Sequence, residues 1–217
     1  MIKFVVFVTI CMLAATALQT STVIPLNPIP NVRPPPSQRK FNSTFINTLI
    51  DSTQRRMKDY SLATLFGNCF PNTLDTTVMN WGEEDSFVIT GDIDAMWLRD
   101  STNQVWPYMP YLRNIGGGDD EGGGDSKLGR GRGHQEGEQE QQEVEEGVAD
   151  LQKLIRGLVL RQLRSVLIDP YANSFNYKPN GQGHQSDLRH PPMQPALFEG
   201  KYELDSLCAV VKLACRY

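Results

Sequence analysis

Acidic residues, an arginine and a tryptophan are crowded into eleven residues, GDIDAMWLRDS (91–101), and a second charged group, KYELDSLC, occupies 201–208. In 91–101 the charges lie among apolar side chains, so they are expected beside a core, where a charge must meet a partner or a polar ligand. Sugar hydroxyls are bound by charged side chains and by flat aromatic faces, and glycoside hydrolysis needs two carboxyl groups. Both segments therefore contain residue types that could bind or process a sugar.

The same charges also have a purely structural interpretation. Arg99 and Asp100 could form an internally paired, Asp-capped start of a helix, with Trp97 as an ordinary core residue. Lys201 and Asp205 are four residues apart, which is the spacing of an ion pair on the exposed face of a helix. From the residues alone, both interpretations stay open for both segments.

The acidic residues of the chain are concentrated in one segment. The 217 residues carry a formal net charge of −4 and are 40% hydrophobic, which permits a buried core and argues against a nucleic-acid-binding protein. The acidic excess lies in 116–147, where glycine runs precede Gln/Glu repeats and only Leu128 and Val144 are apolar. Such a segment cannot bury enough apolar surface to offset the entropy of ordering it, so we predict a disordered insert there.

The N-terminal segment is typical of a secretory signal. Residues 1–17 combine a lysine, an uncharged apolar run and a small-x-small cleavage pattern, with an uncleaved anchor and a buried helix as alternatives. Residues 18–36 are rich in proline and are predicted to form an extended spacer before a domain that starts near Ser37. The glycosylation sequon at Asn42 fits a protein of the secretory pathway that is either secreted or located in the Golgi lumen.

The placement of cysteine and histidine argues against two common kinds of site. The cysteines lie at 11, 69, 208 and 215, and the first falls in the signal, so the odd remainder argues against a disulfide scaffold and for buried free thiols. The histidines occur in polar stretches, outside any zinc-binding motif. We therefore predict neither a metal site nor a cofactor.

Hydrophobic periodicity predicts helices that would position the two charged segments. The expected architecture is an all-α domain of stacked helix pairs with one short β-hairpin. In chain order, the pattern predicts two helices between Phe41 and Phe66, a hairpin from 76–79 and 87–90, a helix capped by Asp100, a long helix over 148–167 and a last helix from Leu204.

Four segments resemble the N-terminal half of glycoside hydrolase family 125. They are FGNCFPNTLDTTV (66–78), FVITGDIDAMWLRDSTNQVWPY (87–108), DPYANSFN (169–176) and KYELDSLC (201–208), so the resemblance covers 41–217 apart from the insert. It implies an incomplete (α/α)6 barrel and a metal-independent exo-α-1,6-mannosidase that inverts configuration with a carboxylic acid and a carboxylate. The implied partner is an α-mannoside, either an oligosaccharide or an N-glycan, with no nucleic acid and no stable membrane association once the signal is cleaved.

The resemblance also implies roles for individual residues of the two charged segments. Asp92 and Asp94 are expected to shape their loop rather than to touch sugar. The residues implied to bind substrate are Trp97, Arg99, Asp100, Asp205 and Ser206.

Several positions depart from the family pattern. Phe198 and Gly200 stand where the family has a tryptophan and an arginine, and 177–195 is weakly matched. The later family segments that supply the general acid (GFRPSDD-like) and the general base (MHE-like) do not occur, so no catalytic residue is assigned in this chain. We therefore expect 37–217 to be the N-terminal part of the hydrolase domain and to be inactive by itself.

Two other functions stay open. The chain could be a catalytically inactive mannose-binding or regulatory remnant of the same fold. It could also be a different (α/α)6 hydrolase, such as a glucoamylase-like enzyme, because a Trp-x-Arg-Asp-Ser motif occurs there too. The flanking segment 66–78 favours family 125 over this last alternative.

Overall fold

Five α-helices are the main elements of the computed structural model, which describes the backbone of residues 29–112 and 134–217 and, in the second range, side chains from 141. The described residues from Asn31 onward belong to one compact unit. The helices are α1 (Thr44–Arg56), α2 (Tyr60–Cys69), α3 (Leu98–Val105), α4 (His134–Ile168) and α5 (Leu204–Arg216), and the strands are β1 (Val78–Asn80), β2 (Phe87–Val88), β3 (Ala95–Trp97), β4 (Ser174–Asn176) and β5 (Leu197–Glu199).

Side-chain caps fix the starts of α1 and α2. The Ser43 hydroxyl accepts a hydrogen bond from the Ile46 amide at 3.4 Å, and an Asp59 carboxylate oxygen accepts from the Ser61 and Leu62 amides at 2.8 and 3.0 Å. Each cap satisfies amides that have no partner inside the helix. The two helices predicted between Phe41 and Phe66 are confirmed, the second of them extending to Cys69.

A β-hairpin follows α2, as predicted. Strand β1 pairs with β2 in antiparallel orientation, with Val78 opposite Val88. The chain then turns tightly into β3, because the Thr90 amide donates to the Ala95 carbonyl at 3.3 Å. Gly91 adopts φ 135° in this turn, a conformation that side-chain-bearing residues rarely occupy.

The described residues form mostly helices, as predicted, but they also form a three-stranded antiparallel sheet that the sequence analysis did not predict. In it β3 pairs with β4 and β4 pairs with β5, which places Met96 opposite Phe175 and Phe175 opposite Leu197. Each strand has three residues, too few for an alternating hydrophobic pattern to stand out from the surrounding loop. The sheet ties the first charged segment to the loop that follows α4.

The acidic segment is not wholly an irregular insert. Helix α4 begins at His134, so the prediction of disorder is wrong for 134–147, whereas 116–133 lies outside the described residues. Glutamine and glutamate favour helix, and Gln142 reaches Glu146 one turn later at 3.1 Å. The buried Gly147 carbonyl accepts a hydrogen bond from Ser43 at 3.3 Å, which ties this part of α4 to the start of α1.

The proline-rich segment joins the fold earlier than predicted. Arg33 Nε lies 2.7 Å from Oδ2 of Asp75, a carboxylate that is 1% exposed. A carboxylate this deeply buried needs an ionic partner, and Arg33 supplies one from inside the predicted spacer 18–36. Because of this contact, the folded unit begins at Asn31 rather than near Ser37. Composition identified the prolines but could not identify the contact.

Helix α4 crosses the centre of the core. Leu151, Leu154, Ile155 and Leu158 have the helical spacing of a single apolar face and are completely buried. The helix ends at Ile168, where the sequence predicted an end before Asp169 and Pro170. Within 29–112 and 134–217, none of the helices combines the length and the continuous apolar character that a bilayer crossing demands.

The prediction of buried thiols is wrong for the cysteines that the structure describes. Cys69, Cys208 and Cys215 are free and exposed. On α5 the core-facing positions are taken by Ala209 and Leu213 among others, so Cys208 and Cys215 fall on the opposite side of the helix.

Candidate functional site

Arg99 and three carboxylates form the charged centre of the candidate site. Arg99 Nη1 lies 3.0 Å from Glu203 Oε2 and 3.0 Å from Asp205 Oδ2, and Arg99 Nη2 lies 3.3 Å from Asp100 Oδ2. We name these four residues the Arg99 cluster. The Arg99 side chain is 35% exposed, so the cluster is organised internally and can still be reached by a ligand.

The starts of α3 and α5 bring the Arg99 cluster together. Trp97 precedes α3 and Glu203 precedes α5, and neither side chain caps its own helix. The Glu203 carboxylate instead accepts a hydrogen bond from Arg99, which lies in the first turn of α3. Asp100 and Asp205 lie in the first turns of the two helices, where the partial positive charge of a helix N-terminus favours carboxylates.

The contact between Arg99 and Asp205 stabilises the ionised forms of these two groups. The hydrogen bond from Arg99 holds the pKa of the Asp205 carboxyl below its usual value, assisted by the Arg99 charge and by the Ser206 amide. The hydrogen bond to Asp205 in turn raises the pKa of Arg99, and the three surrounding carboxylates act in the same direction against partial burial. Ionised carboxylates accept hydrogen bonds and the guanidinium donates them, a combination suited to sugar hydroxyls.

Two of the predicted binding residues have different roles from those expected. Asp100 is not a helix cap: β3 runs directly into α3, so Trp97 takes the cap position and Asp100 becomes the third helical residue. Ser206 is completely buried, and its hydroxyl donates to Glu203 Oε2 at 2.9 Å. In this structure the Ser206 hydroxyl therefore holds Glu203 in position, and its expected contact with sugar stays a prediction.

The remaining residues of the first charged segment separate into two groups. Trp97 is partly exposed, and its ring packs edge-on against Phe198 with centroids 5.3 Å apart. Asp92 and Asp94 are exposed on the turn before β3 and lie outside the Arg99 cluster. Their position agrees with a role in the loop rather than in binding.

A buried polar network fixes the relative positions of α3 and α5. The Gln162 amide of α4 is completely buried and donates to the Leu98 carbonyl at 3.2 Å and to the Ser101 hydroxyl at 2.8 Å. Thr102 joins this network and donates to the Ala209 carbonyl of α5 at 3.3 Å. Because Arg99 lies between Leu98 and Ser101 on α3, Gln162 helps to set its distance from α5.

A second network orders the segment before α5. Asn173 donates to Glu199 Oε2 at 2.6 Å and accepts from the Lys201 amide at 3.2 Å. Burial raises the pKa of the Glu199 carboxyl, but hydrogen bonds from Lys201 and Asn173 outweigh burial and leave that pKa below its usual value. Lys201 thus pairs with Glu199 and Asp205 with Arg99, so the alternative of a helical Lys201–Asp205 pair is wrong.

Arg189 occupies the space beside Gly200. Gly200 itself stands at the position where the family pattern has an arginine. A Cβ atom on Gly200 would lie 2.5 Å from Arg189 Cδ and 2.4 Å from Met193 Sδ. From this position Arg189 forms a two-bond ion pair of 2.7 and 2.9 Å with Asp169, which is 1% exposed. The weakly matched loop 177–195 therefore supplies an arginine that neutralises a buried carboxylate.

The Arg99 cluster can bind polar groups, but its geometry is not that of an acid and base pair. Three carboxylates share one guanidinium, whereas an inverting hydrolysis needs a carboxylic acid and a carboxylate on opposite sides of the glycosidic bond. Among the side chains that the structure describes, no group of three or more His, Cys, Asp or Glu residues could hold a metal ion.

The structure adds Glu203 to the candidate site, a residue to which sequence analysis assigned no role. It lies in the same segment as Asp205, but motif matching alone gave no reason to prefer it. Glu203 and Arg99 are 104 residues apart in the sequence, so no local pattern could predict their contact. The sequence feature that could have drawn attention to Glu203 is its position directly before a helix.

Comparison with known proteins identifies related sequences across most of this chain. The model of the metal-independent α-mannosidase family GH125 matches residues 59–122 and 136–217. The unmatched residues 123–135 lie within the predicted insert. The meiotically up-regulated gene 157 protein of Schizosaccharomyces pombe is 35% identical over 200 residues, which cover 87% of this chain and 33% of that protein.

A solved structure from Streptococcus pneumoniae is similar in both sequence and fold. It belongs to work on a family of metal-independent α-mannosidases and is a non-productive substrate complex with α-1,6-mannobiose. It shares 35% identity with this chain at a TM-score of 0.57, and the match covers 82% of this chain and 34% of its own. The chain thus spans about a third of the length of these two relatives.

Proposed function

The chain belongs to GH125, the metal-independent α-mannosidase family, and from that membership we propose that its Arg99 cluster binds the terminal mannose residue of an α-1,6-linked mannoside. The observation that carries this proposal is the convergence of Glu203 and Asp205 on Arg99, each at 3.0 Å, from two separate charged segments. The α-1,6-mannobiose complex of the Streptococcus pneumoniae relative supports the choice of substrate. Family membership also removes the glucoamylase-like alternative.

In the proposed complex, each member of the cluster contributes one kind of hydrogen bond. The carboxylates of Glu203 and Asp205 accept from sugar hydroxyls, while Arg99 orients both carboxylates and donates to a hydroxyl oxygen. Trp97 offers a partly exposed aromatic face at the edge of the site. Recognition then requires a neutral ligand with several adjacent hydroxyl groups, as in a terminal mannose residue.

For the whole protein we propose inverting hydrolysis of the glycosidic bond. A carboxylic acid protonates the leaving oxygen while a carboxylate takes a proton from the attacking water, and the two groups flank the bond. We assign neither role to the Arg99 cluster, because its carboxylates are committed to one guanidinium. The (α/α)6 barrel implied by the resemblance likewise stays a prediction.

A mannose-binding or regulatory protein without hydrolase activity is the second candidate. It is favoured by the same observation, since each cluster carboxylate is engaged by Arg99. Incubation of the whole protein, rather than of residues 37–217 alone, with α-1,6-mannobiose in the presence of EDTA, followed by proton NMR, separates the candidates. We expect free mannose that appears first as the β anomer. Binding without release of mannose would support the second candidate, and neither binding nor release would contradict both.

We propose the secretory pathway as the location of the protein, either secreted or in the Golgi lumen. Asn42 is exposed at the start of α1, which makes its sequon accessible. The predicted signal at 1–17 lies outside the described residues. Detection of the native protein only in the cytosol would contradict this location.

A further inference from the structure

A cavity of about 570 Å³ is lined by residues of the proline-rich segment, of α1 and of α2. We name it the Arg33 cavity, because Arg33 lines it together with Arg39 and Arg55. We propose that the Arg33 cavity binds a small phosphate monoester through these guanidinium groups. Its lining shares no residue with the Arg99 cluster, so this ligand is additional to the mannoside of the proposed function.

Two of the three arginines share one buried carboxylate. The Asp75 carboxylate is 1% exposed, and its oxygens lie 2.7 Å from Arg33 Nε and 3.7 Å from Arg39 Nε. The Arg33 and Arg39 side chains are only 13% and 11% exposed, so solvent ions screen their charges poorly. Because one carboxylate balances only one guanidinium group, a positive charge remains beside the cavity.

The hydrogen-bond partners of Arg39 do not supply the missing counter-charge. Arg39 Nη1 donates to the side-chain oxygens of Asn42 and Asn47 at 3.3 and 3.1 Å, and Nε donates to a backbone carbonyl at 2.9 Å. Burial lowers the pKa of Arg39, the charge of Arg33 acts in the same direction, and the attraction of Asp75 does not compensate for them. The Arg39 cation is thus less well stabilised than in water, and a bound anion would stabilise it.

The charge around the cavity favours a phosphate group over a carboxylate. Residues 31–67 include six basic and two acidic residues, although the whole chain has a net charge of −4. Asp51 is the one acidic residue of the lining, which also contains three arginines. A phosphate group carries a charge of about −1.5 to −2 and three acceptor oxygens, so it can engage several guanidinium groups at once. A carboxylate offers one charge and two oxygens.

The rest of the lining fits an organic group attached to the phosphate. The cavity volume lies within the range of about 300 to 1,000 Å³ that is typical of small-molecule sites. Tyr60 is 77% exposed and lines the cavity with Pro34 and Pro35, so apolar surface lies close to the arginines. The Gln54 amide donates to the Ala63 carbonyl at 2.8 Å, which fixes this part of the wall before a ligand binds. We therefore expect a monoester to bind more tightly than a free phosphate ion.

The test is isothermal titration calorimetry of the whole protein with phenyl phosphate, inorganic phosphate, phenylacetate and phenol. Arg55→Ala and Arg56→Ala are matched variants, because both arginines are exposed on α1 and only Arg55 lines the cavity. Arg33 and Arg39 are left unaltered, since the buried Asp75 needs their charges. We expect phenyl phosphate to bind with a dissociation constant below about 1 mM, Arg55→Ala to weaken it about ten-fold and Arg56→Ala to change it less than about two-fold.

Four outcomes would overturn the phosphate monoester site. Equal weakening by Arg55→Ala and Arg56→Ala would indicate diffuse attraction by the charged surface rather than a site in the cavity. Inorganic phosphate or phenylacetate that binds as tightly as phenyl phosphate would exclude a phosphate monoester as the preferred ligand. Phenol that binds as tightly would exclude recognition of charge, and absence of phenyl phosphate binding would contradict the site altogether. Each of these outcomes leaves the Arg99 cluster untouched, because its proposed function is tested with mannosides.

Discussion

Arg99 and Asp205 are 106 residues apart in the sequence, yet Arg99 Nη1 lies 3.0 Å from Asp205 Oδ2. The contact joins the first turns of α3 and α5, which are held in place by the buried network around Gln162. Arg99 thereby becomes the shared partner of two charged segments that sequence analysis could only consider separately. The first prediction follows from this shared position.

In the whole protein, replacement of Arg99 by alanine is expected to lower kcat/KM for α-1,6-mannobiose by at least about 100-fold, equivalent to about 3 kcal/mol, because it removes a sugar contact and leaves adjacent carboxylates without their common partner. Arg99→Lys should recover only part of the loss, since one ammonium cannot reproduce the planar guanidinium. Arg56→Ala, at an exposed position of α1, is the control and should keep full activity. Unchanged kcat/KM in Arg99→Ala would place the binding site elsewhere.

The ionisation of Asp205 should depend on Arg99. Because the folded-state pKa of Asp205 is depressed, its ionised form stabilises the fold above the pKa of the unfolded chain, and this contribution is lost as pH falls through the folded pKa. In Arg99→Ala we expect the pKa of Asp205 to rise, since the hydrogen bond is lost and Glu203 and Asp100 remain nearby. Carbon-13 NMR titration of the aspartate carboxyls measures this directly. A pKa that stays depressed in Arg99→Ala would show that the helix N-terminus, rather than Arg99, is its cause.

Gln162 is predicted to stabilise the fold through its buried amide. Gln162→Leu keeps much of the volume but leaves Ser101 and Thr102 short of partners, so the free energy of unfolding in urea should fall by about 2 to 3 kcal/mol. Gln142→Leu, on an exposed turn of the same helix, should change it by less than about 0.5 kcal/mol. Equal effects of the two substitutions would mean that the network contributes no more than helix propensity.

The elements that a local pattern determines were predictable from the sequence, and the contacts between distant segments were not. Helix α2 begins where Asp59 can cap it, and α4 passes through the core where Leu151, Leu154 and Leu158 repeat at helical spacing. By contrast, each strand of the β3–β4–β5 sheet has only three residues and exists because its partners come from elsewhere in the chain.

The candidate site shows the same division. Arg99, Asp100 and Asp205 could be selected because they lie in recognisable segments, and the structure brings all three together. The role of Glu203 and the burial of Ser206 depend on how α5 is oriented against α3. The position of Arg189 beside Gly200 could not be foreseen either. An arginine in a weakly matched loop gives no sign of which carboxylate it will reach.

The ion pair between Asp169 and Arg189 is predicted to be among the most important polar contacts for stability. Asp169→Asn leaves a nearly buried guanidinium without its counter-charge, so unfolding free energy should fall by about 3 kcal/mol. Asp150→Asn removes an exposed pair with Lys153 and should cost less than about 1 kcal/mol. A small effect of Asp169→Asn in urea denaturation would indicate that water or another group replaces the lost charge.

Glycosylation at Asn42 is the prediction that tests the secretory assignment. Expressed in eukaryotic cells, the protein should start near Leu18 and should migrate faster on a gel after treatment with peptide-N-glycosidase. Asn42→Gln should abolish this shift, and Asn47→Gln, which lies outside the sequon, should not. An unglycosylated product that retains Met1 would argue for a location outside the secretory pathway.

The central claim, that Arg99 contacts the terminal mannose residue, is tested most directly by the side-chain Nε–H signals of the arginines in a proton–nitrogen NMR spectrum. During titration with methyl α-mannoside, we expect the Arg99 signal to shift and saturate together with the Asp205 backbone amide. The signal of Arg161, which is paired with Asp85 and lies outside the Arg99 cluster, should stay fixed. Saturable shifts elsewhere in the protein with no change at Arg99 would contradict the account.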